Sequence, residues 1–353
     1  MILEDLLNKP GEWFKGKGPD ANIIISSRIR LARNLVDIPF PKRMKPPQVE
    51  KLFERIRQAQ EKSNFLRGFE FLKGTEISPL DREFLLERHL VSQEYVNYSQ
   101  DKALLLRRDE VCSIMVNEED HLRIQVIKSG FDLQDTWEIA NRVEEEFSKT
   151  LNFAFSLNLG FLTSCPTNVG TGMRASCMLH LPGLIMTKRI NRVLELISKL
   201  SFTTRGFFGE GTQAIGNFFQ VSNQLTLGLS ETEILSNLSG IIKQLKNQEL
   251  QAREYMLSRY RLSLEDKICR ALGVLKNCRL ISSSETLSHL SLLRLGIDLG
   301  IIKNLDTELL NYLFIMIQPA HLQKIYKKSL SHQERDSIRA ELLREKLERV
   351  YIR

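Results

Sequence analysis

The sequence predicts an α/β domain with an at least partly antiparallel sheet, followed by an all-helical domain. Before about residue 230, short runs rich in Ile, Leu and Val alternate with helical patterns. Beyond it, apolar residues recur at helical spacing almost throughout. The β-like runs 102–107 and 111–116 are joined by three residues, a length typical of a hairpin. We therefore expect an α/β domain over residues 20–240 and a helical domain over 241–353.

The individual elements follow from composition and capping residues. Where the sequence becomes helical, Ser230 caps a long helix that reaches about residue 261, and Ser263 marks the start of another. A last helix follows Ser331. The strands expected in the first domain are 21–27, 102–107, 111–116, 121–127 and a strand or hairpin region at 217–227, and its expected helices follow Pro46, begin at Ser78 and span about 132–151.

Composition indicates which cellular compartment and which kinds of partner to expect for this protein. No apolar run approaches the roughly 20 residues that span a bilayer, and residues 1–5 do not resemble a secretory signal. The five cysteines are odd in number and scattered, which favours a reducing cytoplasm over a disulfide framework or a cysteine zinc site. The net charge of +7 indicates acidic partners, whether nucleic acid, anionic lipid or polyphosphate.

Familiar nucleotide-binding motifs do not account for this charge. The sequence contains no GxxxxGK[ST] motif, and no HRD or DFG set of an ordinary protein kinase. The segment GEGTQA at 209–214 formally fits GxGxx[GA], but it lies late in the domain and lacks a βαβ context. A protein that handles ATP here needs another phosphate-binding arrangement.

Arginines provide such an arrangement. In SSRIR (26–30) an extended backbone places Arg28 and Arg30 on one face, roughly 7 Å apart, which suits neighbouring phosphates. In NEEDHLRIQ (117–125), Glu119, His121, Arg123 and Gln125 share a face if the strand begins early enough. Arg174 and Arg205 follow further along. Taken singly, each arginine also fits a solvated strand position; together, beside acids, glycines and a Cys-Pro turn, they favour a pocket.

Four ordered segments carry a resemblance to a known family. They are SRIR (27–30), NEEDHLR (117–123), CPTNVGT (165–171) and RGFFGE (205–210). The third resembles the signature of the phosphagen (guanidino) kinases, and the others match further blocks of that family in the expected order. The resemblance implies a guanidino-kinase-type antiparallel sheet flanked by helices, and ATP with Mg²⁺ held mainly by nucleotide and water rather than by a protein metal site.

The resemblance also implies roles for individual residues. The arginine clamp on the ATP phosphates is formed by Arg28, Arg30, Arg123, Arg174 and Arg205, and His89 resembles a nucleotide-contacting histidine. Glu119 and Glu210 resemble the carboxylates that grip the substrate guanidinium, and Cys165 resembles the reactive cysteine beside it. The implied ATP-binding segments are completed by Ser26, Ser27, Ile29, Ala175, Ser176, Cys177, Met178, Gly206, Phe207, Phe208 and Gly209.

These residue types suit phosphoryl transfer to a guanidinium. That group is a poor nucleophile because it is protonated, with a pKa above about 12. A carboxylate pair orients its nitrogens and takes up the proton as the N–P bond forms, and arginines stabilise the charge on the transferred group. The sequence does not say whether Glu119 or Glu210 is the base. Cys165 lies among cationic groups, which favours its thiolate, although a small buried hydrophobic role is the alternative.

Two departures from the phosphagen kinases refine the resemblance. Those enzymes usually continue Arg-Ala-Ser with Val-His, where this chain has Cys177 and Met178. Their Ser-Arg-x-Arg block follows an N-terminal helical domain, whereas here it begins at residue 27, with about a hundred extra residues at the C-terminus. This arrangement resembles the bacterial protein-arginine kinases of the McsB type, with an active site open to arginine on a protein.

That narrower resemblance implies a setting and a second site. It implies a bacterial cytoplasm, a stress response, a small activator protein, a heat-shock repressor as substrate, a Clp-type protease and a homodimer. RDSIRA (335–340) matches the RDxxRA motif of these kinases, which implies an allosteric phosphoarginine site at Arg335, Asp336 and Arg339. From spacing alone, Arg335 and Arg339 share a helix face, and a solvated face is the alternative reading.

Two rival functions are distinguished by specific features. A free-arginine kinase would store phosphate as phosphagen, and the missing N-terminal domain argues against it. A non-catalytic module would bind phosphoarginine or nucleic acid in its basic clefts. Glu119 and Glu210 argue against that rival, because two acids would repel phosphate if catalysis had been lost.

Overall fold

The computed structural model describes residues 2–7, 11–206 and 215–351. Among them, eight strands form one sheet in the order β2-β3-β4-β5-β1-β8-β10-β9, and every neighbouring pair is antiparallel. The strands are β1 (Ile24–Arg33), β2 (Phe69–Lys73), β3 (Ala103–Arg107), β4 (Cys112–Val116), β5 (Leu122–Ser129), a separate two-stranded pair β6 (Phe155–Ser156) and β7 (Gly160–Phe161), β8 (Met173–His180), β9 (Phe202–Arg205) and β10 (Phe218–Asn223).

Helices cover this sheet and then form a region of their own after β10. Proline occupies the first turn of several of them, where a missing N–H costs nothing. The helices are α1 (Ile2–Leu7), α2 (Pro46–Lys62), α3 (Pro79–Glu87), α4 (Gln93–Asn97), α5 (Leu133–Ser148), α6 (Pro182–Met186), α7 (Ile190–Lys199), α8 (Glu231–Asn277), α9 (Ser283–Asp298), α10 (Thr307–Met316), α11 (Pro319–Tyr326) and α12 (His332–Leu347).

The predicted antiparallel sheet and helical C-terminal region are confirmed, with two local differences. The first strand begins at Ile24, because residues 21–23 form a turn, and it continues to Arg33. The long helix continues past residue 261 to Asn277, and its break falls at Tyr260, whose φ and ψ are −136° and 30°. Residue 240 lies inside this helix, so the boundary between residues 240 and 241 stays a prediction.

The two faces of the sheet have different partners. One face packs against α2, α5 and the first part of α8 and forms a large apolar core; Ile29, Ile124 and Val221 are among its fully buried residues. On the other face, α1, α3 and α4 cover the β3–β4 end. The C-terminal helices cover part of the same face, where Phe218 and Met178 join their core. A section of this second face lies open between the two helical groups.

Two buried carboxylates join helices across the chain. Glu249 on α8 accepts hydrogen bonds from the backbone N–H groups of Gly183 and Leu184, at 2.9 Å each, in the first turn of α6. Glu87 at the end of α3 accepts similar bonds from the first turn of α11. Free N–H groups at a helix start need acceptors when buried, so each carboxylate fixes one helix against another.

Arg33 is an arginine of β1 that has a structural role, because strand alternation places it on the core face of the sheet. It lies on the core face at the end of β1, is 1% exposed, and donates to both carboxylate oxygens of Glu144 on α5 at 2.7 and 2.9 Å. Its remaining nitrogen donates to the carbonyls of Ala32 and Thr171, and its guanidinium lies 3.5 Å from the ring centre of Phe161. This arginine therefore anchors β1 to α5.

We predict that Arg33→Gln lowers the free energy of unfolding by about 3 kcal/mol, because it removes the buried member of the ion pair and leaves the partly buried Glu144 carboxylate without its charge partner. Urea denaturation followed by circular dichroism would measure the change. The matched control is Arg55→Gln, which breaks the more exposed pair with Asp37 and is expected to cost less than about 1 kcal/mol. Equal effects of the two substitutions would contradict the anchoring role of Arg33.

Candidate active site

The open section of the sheet forms a cleft of about 440 Å³, a size that suits a nucleotide or similar ligand. Its floor is the face of β5, β1, β8, β10 and β9 opposite the large core. Its walls come from the end of α3, the residues before β5 and the loop before β8. The predicted site residues that line it are Arg28, Arg30, His89, Glu119, Arg123, Cys165, Arg174 and Arg205.

The arginines meet because of strand register. Arg28 and Arg30 alternate with Ile29, so both leave the core face of the central strand β1. Arg174 on β8 pairs directly with Arg30, and Arg123 pairs with Ala32. Arg205 ends the edge strand β9. The arginines of these strands therefore lie on the same face of the sheet.

Arg123 is held by a carboxylate that sequence reasoning did not single out. Its Nη1 donates to both oxygens of Glu118 at 2.8 and 2.7 Å. The Ser92 hydroxyl and the backbone N–H of Glu119 also donate to Glu118. Burial alone raises the pKa of Glu118, but Arg123 and these donors outweigh burial and lower it to about 2. Glu118 is therefore a fixed anion that orients Arg123.

Neutral side chains orient two further arginines. Gln220 on β10 accepts from Arg28 Nη2 at 2.8 Å. Arg174 Nη2 donates to Thr203 Oγ1 at 2.8 Å and to Ser222 Oγ at 3.1 Å. Because these partners carry no charge, the hydrogen bonds orient both guanidinium groups without adding a counter-charge.

The electrostatics of the cleft favour an anionic ligand. Burial, followed by repulsion from Arg123, Arg174 and Arg205, lowers the pKa of Arg28 to about 9. The same causes, with Arg28 added, lower the pKa of Arg30 well below its usual range. Like charges this close disfavour one another, and a polyphosphate among them would relieve that repulsion.

Glu119 and Cys165 lie together at one end of the cleft. Asp120 accepts from the backbone N–H of Ser164 at 2.7 Å, which ties the turn carrying Glu119 to the loop carrying Cys165. Asn168 Nδ2 contacts Glu119 Oε2 at 3.4 Å, and Cys165 Sγ lies 3.0 Å from Thr167 Oγ1. Burial is the largest influence on Glu119, and it raises the pKa of this carboxyl despite the opposing effect of Arg123.

His89 lies at the other end of the cleft. Its backbone is left-handed, with φ of 58°, and its carbonyl accepts from Gln125 Nε2 at 2.7 Å. Its ring meets the ring of Trp13 edge-on, with centroids 4.8 Å apart. A small depression continues from the cleft past His89 and is lined also by Ser26, Ser176 and Met178. These three predicted residues therefore adjoin the arginine cluster.

Several residues that were predicted to bind ATP are not among those that line the cleft in the described part of the chain. Ile29, Ala175 and Cys177 are buried in the core on the opposite face. The Ser27 hydroxyl donates to the Gly130 carbonyl at 2.9 Å. Gly206 is buried directly after Arg205. Phe207, Phe208, Gly209 and Glu210 lie outside the described residues, and so does the rest of the 209–214 segment.

His121 differs from its expected placement. Strand β5 begins at Leu122, too late to keep His121 on the cleft face. The ring instead accepts from the backbone N–H of Leu35 at 2.9 Å and lies 2.9 Å from the Pro39 carbonyl. His121 is fully buried and braces the chain that follows β1.

The second predicted site has one buried and one accessible arginine. Arg339 is 2% exposed and donates to the carbonyls of Ile317 and Ile281 at 2.8 and 2.7 Å, and to Asp336 Oδ1 at 2.5 Å. Arg335 is partly exposed and contacts His332. The two arginines therefore do not present one open face, since Arg339 already serves three acceptors within the helical region.

Metal and membrane features are absent from the part of the chain that the structure describes. In residues 2–7, 11–206 and 215–351, no group of three or more His, Cys, Asp or Glu side chains is arranged to hold a metal ion. Across the same residues, no helix combines the length and apolarity required for a bilayer span.

Comparison with known proteins agrees with this geometry. Residues 48–252 match the family described as the ATP:guanido phosphotransferase C-terminal catalytic domain. Residues 261–351 match the protein-arginine kinase McsB C-terminal domain. Among solved structures, lombricine kinase has a TM-score of 0.60 at 23% identity over 70% of this chain and 72% of its own. The duplicated taurocyamine kinase from Schistosoma mansoni has a TM-score of 0.60 at 25% identity, and the match covers 70% of this chain and 37% of that one.

Two related protein-arginine kinases align with this chain over almost its full length. The protein-arginine kinase of Pelotomaculum thermopropionicum is 47% identical over 346 residues, 97% of each chain. That of Brevibacillus brevis is 46% identical over 350 residues, 98% of each. With both family matches and an arginine-lined cleft on an antiparallel sheet, the chain is a kinase that belongs to the protein-arginine kinase family.

Proposed function

We propose that this kinase transfers the γ-phosphate of ATP to the guanidinium of arginine residues displayed on proteins. One observation carries the proposal: five arginines from neighbouring strands converge on one cleft that ends at Glu119. The arginines suit the phosphates, and the carboxylate suits a guanidinium. A cleft with cations along its length and an anion at one end matches the charge pattern of the two reactants.

In the proposed reaction, Arg28, Arg30 and Arg174 bind the phosphates and stabilise charge on the transferred group. Mg²⁺, when bound with the nucleotide, neutralises further phosphate charge. Glu119 accepts hydrogen bonds from the substrate guanidinium and takes up its proton as the N–P bond forms. Cys165 lies beside that position, where a thiolate would favour the cation. Glu210 completes the proposed pair of carboxylates.

We also propose the biological setting that the resemblance implies. The kinase acts in a bacterial cytoplasm during stress, as a homodimer, with a small activator protein. Its substrates include a heat-shock repressor, and phosphoarginine marks proteins for a Clp-type protease. The family relationship supports these proposals. Each can be tested by co-purification and by mapping phosphoarginine in cells that lack the kinase.

For the helical domain we propose that phosphoarginine binds at Arg335 and Asp336, while Arg339 holds the local structure. The accessible guanidinium of Arg335 suits the phosphate, and Asp336 suits the guanidinium of phosphoarginine. Arg339 contributes by holding Ile317, Ile281 and Asp336 in place, as its three bonds require.

The direct test is a phosphorylation assay with Mg-ATP, offering free arginine and an arginine-rich unfolded protein in parallel. We expect acid-labile phosphoarginine on the protein alone, located by mass spectrometry under non-acidic conditions. Glu119→Gln and Glu210→Ala are each expected to lower the rate by about 100-fold or more. Glu138→Gln, on an exposed face of α5, is the matched control.

The other outcomes of that assay each point to a different function. Phosphate on free arginine alone would assign a phosphagen kinase. No transfer to either acceptor would favour a binding module or a missing activator, and nucleotide binding would separate those two. Binding of DNA with a steep salt dependence would support the nucleic-acid alternative.

The rate should also depend on pH through Glu119. Because burial raises its pKa above the ordinary 4.5, the ionised base is lost at a higher pH than for an exposed glutamate. We expect kcat/KM to fall on the acid side with an apparent pKa above 4.5. Asn168→Ala removes a donor to the carboxylate and should move this limb further toward neutral. An acid limb that Asn168→Ala does not move would argue against Glu119 as the base.

Arg335→Glu should abolish activation by added phosphoarginine while leaving the melting temperature nearly unchanged, because Arg335 is partly exposed. Arg339→Glu is the contrasting variant and should lower the melting temperature by several degrees, since it removes donors from two buried carbonyls. Basal activity and differential scanning fluorimetry would be measured for both. Unchanged activation in Arg335→Glu would place the phosphoarginine site elsewhere.

A further inference from the structure

A buried charged cluster joins the helical region to the edge of the cleft. It lies where the end of α3 meets the start of α11, and its side chains are almost completely enclosed. Arg88 is 1% exposed, Glu110 2% and His321 0%. Burying such groups is costly unless each is paired, so the arrangement requires a complete set of partners.

Glu87 attaches α3 to the first turn of α11. Its Oε1 accepts from the backbone N–H of Ala320 at 2.7 Å, and its Oε2 accepts from that of His321 at 2.9 Å. The same Oε2 lies 2.7 Å from His321 Nδ1. The carboxylate therefore satisfies the start of a helix that belongs to the C-terminal region.

Arg88 extends the cluster toward the sheet. It donates from Nε and Nη2 to Glu110 at 2.8 and 2.5 Å, and its Nη1 lies 3.4 Å from His321 Nε2. Because guanidinium nitrogens only donate, Nε2 is the acceptor and Nδ1–H donates to Glu87. Burial, with Arg88 nearby, lowers the pKa of His321 well below its usual range, which agrees with this neutral tautomer.

The next residue along the chain is His89, which lines the nucleotide cleft. Its φ of 58° is a conformation that residues other than glycine adopt only when their surroundings impose it. The backbone N–H of His89 donates to the Leu86 carbonyl at 2.8 Å, within the turn that closes α3. Glu87 and Arg88 thus anchor the segment that sets the position of His89.

We propose that Glu87 and His321 are positioning residues for His89, so that the helical region completes the nucleotide end of the cleft. The inference rests on the proposed function in one respect, that His89 meets the nucleotide. The contact between α3 and α11 then serves ATP binding as well as stability. Neither Glu87 nor His321 lines the cleft. Both would therefore act on His89 indirectly, through Arg88 and the turn that ends α3.

The experiment compares Glu87→Gln with Glu249→Gln in the full chain. Both replace a buried carboxylate that accepts two backbone N–H bonds at the start of another helix. Only Glu87 lies beside His89, so Glu249→Gln controls for the loss of such a contact. Hydrogen exchange of residues 85–91 reports the position of the turn without any ligand. The KM for ATP, kcat and the Kd of a non-hydrolysable ATP analogue report function.

We expect Glu87→Gln to accelerate exchange in residues 85–91 and to raise the KM for ATP about five-fold, with kcat within about two-fold of wild type. Glu249→Gln, which also removes an ion pair with Arg253, should lower the melting temperature at least as much and change neither readout. His321→Asn, which retains a donor for Glu87 and removes the acceptor for Arg88, should shift both readouts in the same direction. It decides the question if Glu87→Gln does not fold.

Two outcomes would overturn the proposal. One is equal exchange in residues 85–91 for Glu87→Gln, His321→Asn and wild type. The other is faster exchange with unchanged KM and Kd for nucleotide, which would leave the cluster with a structural role only. A wild-type chain that binds no nucleotide would contradict the proposed function instead, and the exchange comparison would still decide whether α11 sets the turn at His89.

Discussion

The structure depends on keeping several guanidinium groups close together on one face of a sheet. Burial, followed by repulsion from neighbouring guanidinium groups, lowers the pKa of Arg28 to about 9. Backbone hydrogen bonds of a central strand resist that repulsion, because β1 is paired along its length with β5 on one side and β8 on the other. A loop could not hold these charges at fixed spacing without collapsing onto nearby carboxylates. The antiparallel sheet is thus the rigid frame for the phosphate-binding surface.

The helices around the sheet serve this requirement in two ways. On one face they bury the apolar side of the same strands, so that each arginine alternates with an anchored core residue. On the other face, two helical groups leave the arginine surface open between them. Glu87 connects those two groups through the first turn of α11, and Glu249 joins α8 to the first turn of α6. The cleft therefore lies between two helical groups that are joined by polar contacts at Glu87.

The sequence was sufficient for the antiparallel strands and the helical region, which follow from local periodicity, and the family resemblance implied the set of arginines that share the cleft. It was insufficient where long-range contacts decide. Glu118 and Glu119 are adjacent and chemically identical, and only the turn before β5 sends one to Arg123 and leaves the other at the cleft end. Spacing alone also placed Arg339 beside Arg335 on an open face, whereas packing against Ile317 and Ile281 buries it. The cleft roles of Gln125 and Gln220 had no sequence signal beyond strand alternation.

An enzyme that modifies arginine must avoid modifying the arginines of its own catalytic surface. A phosphate on any of them would turn a cation into an anion and repel ATP. The structure engages most of these side chains: Arg123 with Glu118, Arg174 with Thr203 and Ser222, and Arg28 with Gln220. A guanidinium fixed in this way cannot swing to the position of an attacking nucleophile. The side chains that orient the clamp therefore also keep its guanidinium groups away from the position that a substrate arginine would occupy.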